Sequence, residues 1–434
     1  MLAEHDVPEL SLRKALIATF RKIVRLYFRE VERVGVAPAA DTRGRVFVAN
    51  HHNALIDPIL VLTDAACEIS PIAKSTLWNV PGLRWLLDRA GAVPIVRRKD
   101  SPDKAGDANA ETFDKIADHV ARGGNILIFP EGTSHSEPHL APLRSGAARM
   151  LAAAEARHGV APTFQAVALE FDARDDFRSR SLVLWGPVRA LADVHGTGED
   201  RIRAITDQMD GDLRELLVEG ETHDDRLLVA RVAEMLANAS GDASLSGWNS
   251  IGRQVEHAGT VLRDASPSLI EHVRRHVAAY YAELARFGLA DAQLSSPRAA
   301  VTKPAKRWIR RAALAPLAVP GIALYAIPYF IPRMIARRSD ADAVSTVKLG
   351  AALVVYPLWA AGLVTASFVL LPPPLSFGAA AVVLASPFAA LQWLDAYWNR
   401  TPEHDATAAD LAQIARLRIA ARTAIDEARA RLPA

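Results

Sequence analysis

The sequence predicts a mixed-sheet α/β domain with an N-terminal amphipathic helix, a helical insert and C-terminal transmembrane helices. Three observations carry this. Short β-branched runs alternate with helical patterns between residues 45 and 188, an amphipathic stretch precedes them, and a long charge-free stretch lies near the C-terminal end. With 434 residues, 50% of them hydrophobic, the chain is long enough for two or three domains and too apolar to be disordered.

The elements follow in order. Residues 11–34 place Leu12, Leu16, Phe20, Ile23, Tyr27, Val31 and Val34 on one stripe, with Arg13, Lys14, Arg21, Lys22, Arg25 and Arg29 elsewhere. This basic amphipathic helix (1–38) suits either the lipid interface or a groove on its own domain. The α/β domain (39–190) has strand cores at Val46–Val48, Val93–Val96, Ile126–Phe129, Ala166–Leu169 and Leu182–Trp185, with helices at Ala105–Arg122 and Ser145–Arg157. Gly123-Gly124 supplies the stop signal of the first helix. Residues 191–300 read as helical and polar, with Leu269, Val273, Val277, Tyr280, Leu284 and Phe287 on one stripe.

Membrane-embedded helices are expected over 301–400. Leu349 to Leu394 is a run of 46 residues without a charge or a histidine, room for two spans of about 20 residues, with Pro372-Pro373-Pro374 at the turn. Ala312 to Pro332 adds 21 uncharged residues. This segment is broken by Pro316, Pro320, Pro328 and Pro332 and flanked by arginines at both ends, which suits a re-entrant or kinked segment better than one straight span. Buried helices of a soluble core are the alternative for both stretches. Residues 401–434 form an Ala/Arg-rich amphipathic helix.

Composition excludes several classes. Lys+Arg 51 against Asp+Glu 49 gives a net charge of +2, so no nucleic-acid partner is expected. The single cysteine, Cys67, rules out an intramolecular disulfide or a multi-cysteine metal site. No serine nucleophile elbow, phosphate-binding Gly-Lys loop or dinucleotide fingerprint is present. With acidic residues in the first ten positions no signal peptide is expected at that end, and only nine of the 51 basic residues are lysine, an arginine bias that hints at a bacterial source.

Two blocks carry chemistry. The strand at 45–49 runs into Asn50-His51-His52-Asn53-Ala54-Leu55-Ile56-Asp57, where an imidazole at a strand end and a carboxylate at a helix start can meet across one turn. Asp57 bonded to one ring nitrogen of His52 would leave the other to take a proton from a hydroxyl, with His51 as the competing ring. The second block, Phe129-Pro130-Glu131-Gly132-Thr133-Ser134-His135, ends another strand and offers a glycine for close approach and an acid to hold an acceptor or orient the base. Lys74, Arg97, Arg98 and Arg144 lie near strand ends and suit a phosphate monoester. His135 and His139 with Glu137 could instead ligate a metal, although Pro138 breaks the register.

Together these motifs resemble the glycerophospholipid acyltransferases, which acylate glycerol 3-phosphate or 1-acylglycerol 3-phosphate. His52 and Asp57 fit the histidine, four residues, aspartate signature; Gly91 to Arg97 fit the second motif and Phe129 to Thr133 the third, with Pro162 to Leu169 a loose fourth. The closest likeness, through Tyr27 to Glu32, Ala73-Lys74-Ser75, Ser134 to Pro138, Leu143 to Arg149 and Asp176 to Ser179, is to the fungal glycerol-3-phosphate/dihydroxyacetone-phosphate acyltransferases and their bacterial relatives. Ser134 stands where many lysophosphatidate acyltransferases carry arginine, and Arg144 where lysine is common.

The resemblance implies an O-acyltransferase of phospholipid biosynthesis that takes a fatty acyl group from acyl-CoA or acyl-carrier protein and needs no further cofactor or metal. His52 would be the base and Asp57 its partner. Arg97, Arg144 and Lys74 would hold phosphate, and Glu131, Gly132 and Thr133 would hold the acceptor and, by backbone N–H groups near Gly132, the oxyanion. Glycerol 3-phosphate or dihydroxyacetone phosphate is the expected acceptor, with lysophosphatidate as the alternative. An acyl-thioester hydrolase and a non-catalytic membrane module are the more distant readings. Membrane lipids are the expected partners, and the expected place is a bacterial inner membrane with the catalytic domain on the cytoplasmic side.

Overall fold

A computed structural model describes residues 7–37, 44–96, 105–158, 161–295, 304–398 and 406–432. The chain divides into two compact units, Met1–Glu221 and Thr222–Ala434. The α/β unit therefore begins before residue 39 and continues past 190.

In the first unit, α1 (Val7–Tyr27) leads into β1 (Glu30–Val34), then β2 (Arg45–Ala49), α2 (Ile56–Asp64), β3 (Ser70–Lys74), α3 (Leu83–Ala90), β4 (Val93–Ile95) and α4 (Ala105–Ala121). After these come β5 (Asn125–Ile128), α5 (Gly146–His158), β6 (Thr163–Phe171), β7 (Arg180–Ala190) and α6 (Gly198–Arg214). The seven strands form one sheet in the order β1-β7-β6-β2-β5-β3-β4. All pairs are parallel except β6 with β7, so β1 and β7 run against the other five and the sheet is mixed.

Strand β2 lies at the centre, and all five of its residues are buried. This explains the unbroken Val-Phe-Val run, because a strand covered on both faces has no polar side. Parallel pairing brings the C-terminal ends of β2, β5, β6 and β3 to one edge of the sheet, where loops collect functional side chains. Strand β1 escapes sequence reading because Glu-Val-Glu-Arg-Val is an edge sequence with little apolar content.

The apolar stripe of α1 docks on its own unit. Phe20, Val24, Tyr27 and Phe28 are all buried, and Phe28 stacks on Phe171. Arg13 is buried as well and donates to the Ile69 carbonyl. Exposed Lys14, Lys22 and Arg25 lie on the remaining surface of α1, which also leaves Leu12 and Leu26 exposed.

The second unit opens with α7 (His223–Ser240), α8 (Leu245–Ala265), α9 (Pro267–Arg286) and α10 (Asp291–Ser295). Then come α11 (Pro304–Ala336), α12 (Val344–Leu370), α13 (Leu375–Trp398) and α14 (Ala408–Arg429). Residues 401–405 of the C-terminal stretch lie outside the described residues, and α14 packs with α9 into one core that includes Met235, Leu262, Val277, Tyr280, Ile414 and Ile425. Asp291, fully buried, accepts from Tyr280 Oη (2.6 Å), Arg418 Nε (2.7 Å) and Asn238 Nδ2 (2.9 Å), tying α7, α9, α10 and α14 together.

Three helices are long and apolar enough to cross a membrane: Arg311–Ala336, Val344–Leu370 and Leu375–Asp395. Their internal prolines leave backbone carbonyls without a helical donor, and side chains from neighbouring helices supply two of these. Pro328 cannot donate to Leu324, and Trp359 Nε1 donates to that carbonyl at 2.9 Å. Pro387 cannot donate to Val383, and Tyr325 Oη does so at 3.0 Å.

Candidate active site

The site forms where β2 and β5 end. Asn50 is fully buried and clamps the end of β2 to β6: its side-chain N–H donates to the Leu169 carbonyl (3.0 Å) and its oxygen accepts the Leu169 N–H (2.8 Å). The chain then turns, with Ala54 at φ +30°, into α2, whose first turn carries Asp57.

Asp57 is fully buried, and its Oδ2 gathers three donors: the backbone N–H of His52 (2.8 Å), the backbone N–H of Asn53 (2.6 Å) and the ring Nδ1 of His51 (3.0 Å). The ring that meets the carboxylate is thus that of His51, not His52 as the spacing suggests. The physical reason is local. With its main-chain N–H turned in to Asp57, His52 sends its ring elsewhere, and its Nδ1 donates to the His135 carbonyl at 3.2 Å.

A carboxylate and a carbonyl only accept, so both rings carry their proton on Nδ1. His51 Nε2 has no partner among the described residues. That ring stacks on Phe129 with centroids 4.1 Å apart and an interplanar angle of 22°, which fixes its plane. A ring whose Nδ1–H is held by a buried carboxylate and whose Nε2 lone pair is unpartnered is set up to accept a proton.

Glu131 does not face an acceptor. Its side chain has no exposure, and its oxygens are used inside the protein: Oε1 accepts the His51 N–H (2.7 Å), and Oε2 accepts the Ala141 N–H (2.9 Å) and bonds His135 Nε2. Burial pushes the Glu131 carboxyl up, but the His135 bond, the Ala141 N–H and the neighbouring His135 and His52 rings outweigh it and hold the group below the usual carboxylate range. Glu131 therefore positions the backbone that carries His51.

His135 completes the brace. Its N–H donates to the His51 carbonyl (3.1 Å), its carbonyl accepts from His52 and its ring bonds Glu131, so the loop after β5 is fastened to both histidines. The sequence signal for this residue is weak, since it is one polar residue in a polar loop. Arg174, unremarked in the sequence, donates to the His52 carbonyl and to Ser136 Oγ, both at 3.2 Å, bringing the loop after β6 against the same place.

Gly132 sits at φ +77°, and a Cβ there would come 2.7 Å from Arg144 Nε, so the exposed Arg144 side chain lies across the glycine. The Gly132 N–H is spent on the Phe129 carbonyl (3.0 Å) and is not free for an oxyanion. Thr133, half-buried, has a backbone N–H with no partner among the described residues. Lys74 ends β3. Strand β3 pairs with β5 at Ser70 and Pro71 and with β4 from Ile72 to Lys74, and the Lys74 side chain is half-buried and without a partner among the described residues. Arg97 and Arg98 lie outside the described residues.

Residues 29–167, within the α/β unit, match the family model Acyltransferase.

Among curated proteins the chain is similar to glycerol-3-phosphate O-acyltransferase 2 of Saccharomyces cerevisiae (23% identity over 279 residues, 58% of this chain and 37% of that protein). It is also similar to the 1-acyl-sn-glycerol-3-phosphate acyltransferase BAT2 of Brassica napus (25% over 125 residues, 29% of this chain and 34% of that protein). The chain spans about a third of the length of these relatives. Among solved structures, the crystal structure of the 1-acyl-sn-glycerophosphate acyltransferase PlsC of Thermotoga maritima matches 46% of this chain and 78% of that one, at 16% identity and a TM-score of 0.33.

Proposed function

We propose that this protein is a glycerophospholipid acyltransferase that moves a fatty acyl group from an acyl thioester to the hydroxyl of glycerol 3-phosphate or dihydroxyacetone phosphate, with His51 as general base. The observation that carries this reading is the His51 Nδ1 to Asp57 contact at the end of β2, which leaves Nε2 unpartnered on a ring stacked against Phe129, just before the Gly132 loop.

A neutral hydroxyl is a weak nucleophile. As its oxygen attacks the thioester carbonyl, its proton passes to His51 Nε2, and Asp57 stabilises the imidazolium that forms. The unpartnered Thr133 N–H is available to the developing oxyanion. Collapse of the tetrahedral intermediate breaks the C–S bond and releases an ester and a thiolate, and a thiolate needs little help to leave. Arg144 and Lys74, with Arg97, hold the acceptor phosphate.

Glycerol 3-phosphate ranks ahead of lysophosphatidate because the yeast glycerol-3-phosphate O-acyltransferase aligns over 58% of this chain, whereas the lysophosphatidate relative aligns over 29%. The apolar helices support membrane association, and a reaction that uses acyl-CoA and glycerol phosphate fits a catalytic unit on the cytoplasmic side of a bacterial inner membrane.

Purified protein in detergent, given acyl-CoA with glycerol 3-phosphate, dihydroxyacetone phosphate or 1-acylglycerol 3-phosphate in parallel, tests the choice. Transfer to one of the first two is expected. Transfer to 1-acylglycerol 3-phosphate alone would overturn the acceptor assignment, and thioester cleavage without any acceptor would make the protein a hydrolase.

A further inference from the structure

We infer that Arg174, in the loop between β6 and β7, is a positioning residue for acyl transfer, holding the two-histidine turn so that His51 stays aligned on Asp57. This rests on the proposed reaction with His51 as base.

The main-chain polar groups of His51 and His52 each have a partner. The His51 N–H donates to Glu131 Oε1 (2.7 Å), and the His51 carbonyl accepts from the His135 N–H (3.1 Å). The His52 N–H donates to Asp57 Oδ2 (2.8 Å), and the His52 carbonyl accepts from Arg174 Nη1 (3.2 Å). Arg174 reaches this turn from 122 residues further along the chain.

The peptide unit that presents the His52 carbonyl to Arg174 also presents the Asn53 N–H to Asp57 Oδ2, at 2.6 Å. In a planar trans peptide these groups point in opposite directions, so a donor on the oxygen and an acceptor for the hydrogen together fix the orientation of the unit. A cation on the oxygen also polarises the peptide and strengthens its N–H as a donor. Asp57 Oδ2 takes this N–H together with His51 Nδ1 (3.0 Å), so loosening the unit loosens the carboxylate that aims the ring.

Arg174 also fastens the turn to its surroundings. Its carbonyl accepts from Nδ2 of the fully buried Asn53 (3.4 Å), and its Nη2 donates to Ser136 Oγ (3.2 Å), in the loop that carries Glu131 and His135. One guanidinium thus joins the loops after β2 and β5, a task for a planar fork of donors rather than a point-like ammonium.

The loop that bears Arg174 is itself held at both sides. At its base Asp172 accepts the Arg180 N–H (2.7 Å) and Nε–H (2.9 Å). Further on, Arg178 closes the end of α1: its N–H donates to the Tyr27 carbonyl (2.8 Å), and its Nη1 to the carbonyls of Leu26 (3.1 Å), Phe28 (3.2 Å) and Arg25 (3.3 Å). The last carbonyls of a helix lack donors of their own, and that end favours a cation. Among the described residues two non-glycine positions have positive φ, Ala54 (+30°) in the histidine turn and Arg178 (+68°) in this loop. Such backbone persists where surrounding contacts over-determine it, and Arg174 joins the two segments concerned.

Arg174→Ala and Arg174→Lys in the full-length protein test this, through thiol release from acyl-CoA with and without glycerol 3-phosphate and through thermal unfolding in detergent. Arg174→Ala is expected to lower kcat about 10- to 100-fold per folded protein while both KM values stay within about twofold, and added guanidinium is expected to restore part of the rate. Arg174→Lys keeps the charge without the fork and is expected to remain impaired. A normal kcat in folded Arg174→Ala would overturn the proposal, as would a rise confined to acceptor KM, which would place Arg174 on the substrate. Full activity in Arg174→Lys with no effect of guanidinium on Arg174→Ala would also overturn it, since charge alone would then suffice. Thiol release by the unaltered protein that ignores the acceptor would overturn the acceptor assignment and leave the Arg174 comparison intact, because the same base would then activate water.

Discussion

Replacing each of the two adjacent histidines separates the roles the structure gives them. His51→Ala removes an imidazole anchored on Asp57 at 3.0 Å with its Nε2 unpartnered, and loss of a positioned general base costs about 10²–10⁴-fold in kcat. His52→Ala removes the ring that donates to the His135 carbonyl at 3.2 Å, while its backbone N–H to Asp57 survives. A hydrogen bond of that kind is worth about 0.5–1.5 kcal/mol. If all of it were lost in the transition state, the rate would fall about 2- to 13-fold. The assay is thiol release from acyl-CoA at saturating acceptor, read as initial rate per folded protein. A loss of 100-fold or more for His52→Ala with near-normal rates for His51→Ala would refute the assignment and restore the spacing-based choice.

Glu131→Gln should lower kcat with little change in acceptor KM, because an amide cannot accept from His51, Ala141 and His135 together; an isolated rise in acceptor KM would return Glu131 to substrate binding. Gly132→Ala places a side chain at φ +77°, a strain of about 1–2 kcal/mol, and pushes Arg144 aside, so acceptor KM should rise more than acyl-CoA KM in the same titrations. Asp291→Ala leaves the buried Tyr280 hydroxyl and Asn238 amide without their acceptor and strips Arg418 of its counter-ion, a loss of about 3–5 kcal/mol that thermal unfolding in detergent would register. Burial raises the Asp291 carboxyl, but bonds from Arg418, Tyr280 and Asn238 bring it below its ordinary value, as the site partners do for Glu131. Stability from both is complete above the unfolded carboxylate range near about 4 and is lost as pH falls through the lower folded values, so the unfolding midpoint should drop on acidification and less so in Asp291→Asn.

The strands at 46–48, 126–128, 166–169 and 182–185 were legible because buried strands are written in unbroken apolar runs, and the one at 93–95 by Val93 and Ile95 on either side of an exposed Pro94. The charge-free run was legible because hydrocarbon excludes charge. Strand β1 was hidden by its edge composition, and the docking of α1 was hidden because an apolar stripe looks the same whether it meets lipid or protein. At the site, sequence spacing found the carboxylate but not its ring: Asp57 can bond either histidine, and the choice is made by the direction of the His52 N–H. The inward turn of Glu131 depends on the Ala141 N–H, ten residues on, and on His135, which spacing alone does not relate to it.

The most direct test of the central claim is identification of the product by mass spectrometry, from purified protein given acyl-CoA and isotope-labelled glycerol 3-phosphate, with and without the His51→Ala substitution. The account predicts a labelled acylglycerol 3-phosphate that depends on the acceptor and is lost in the variant. Free fatty acid as the sole product, or an undiminished yield from His51→Ala, would contradict it.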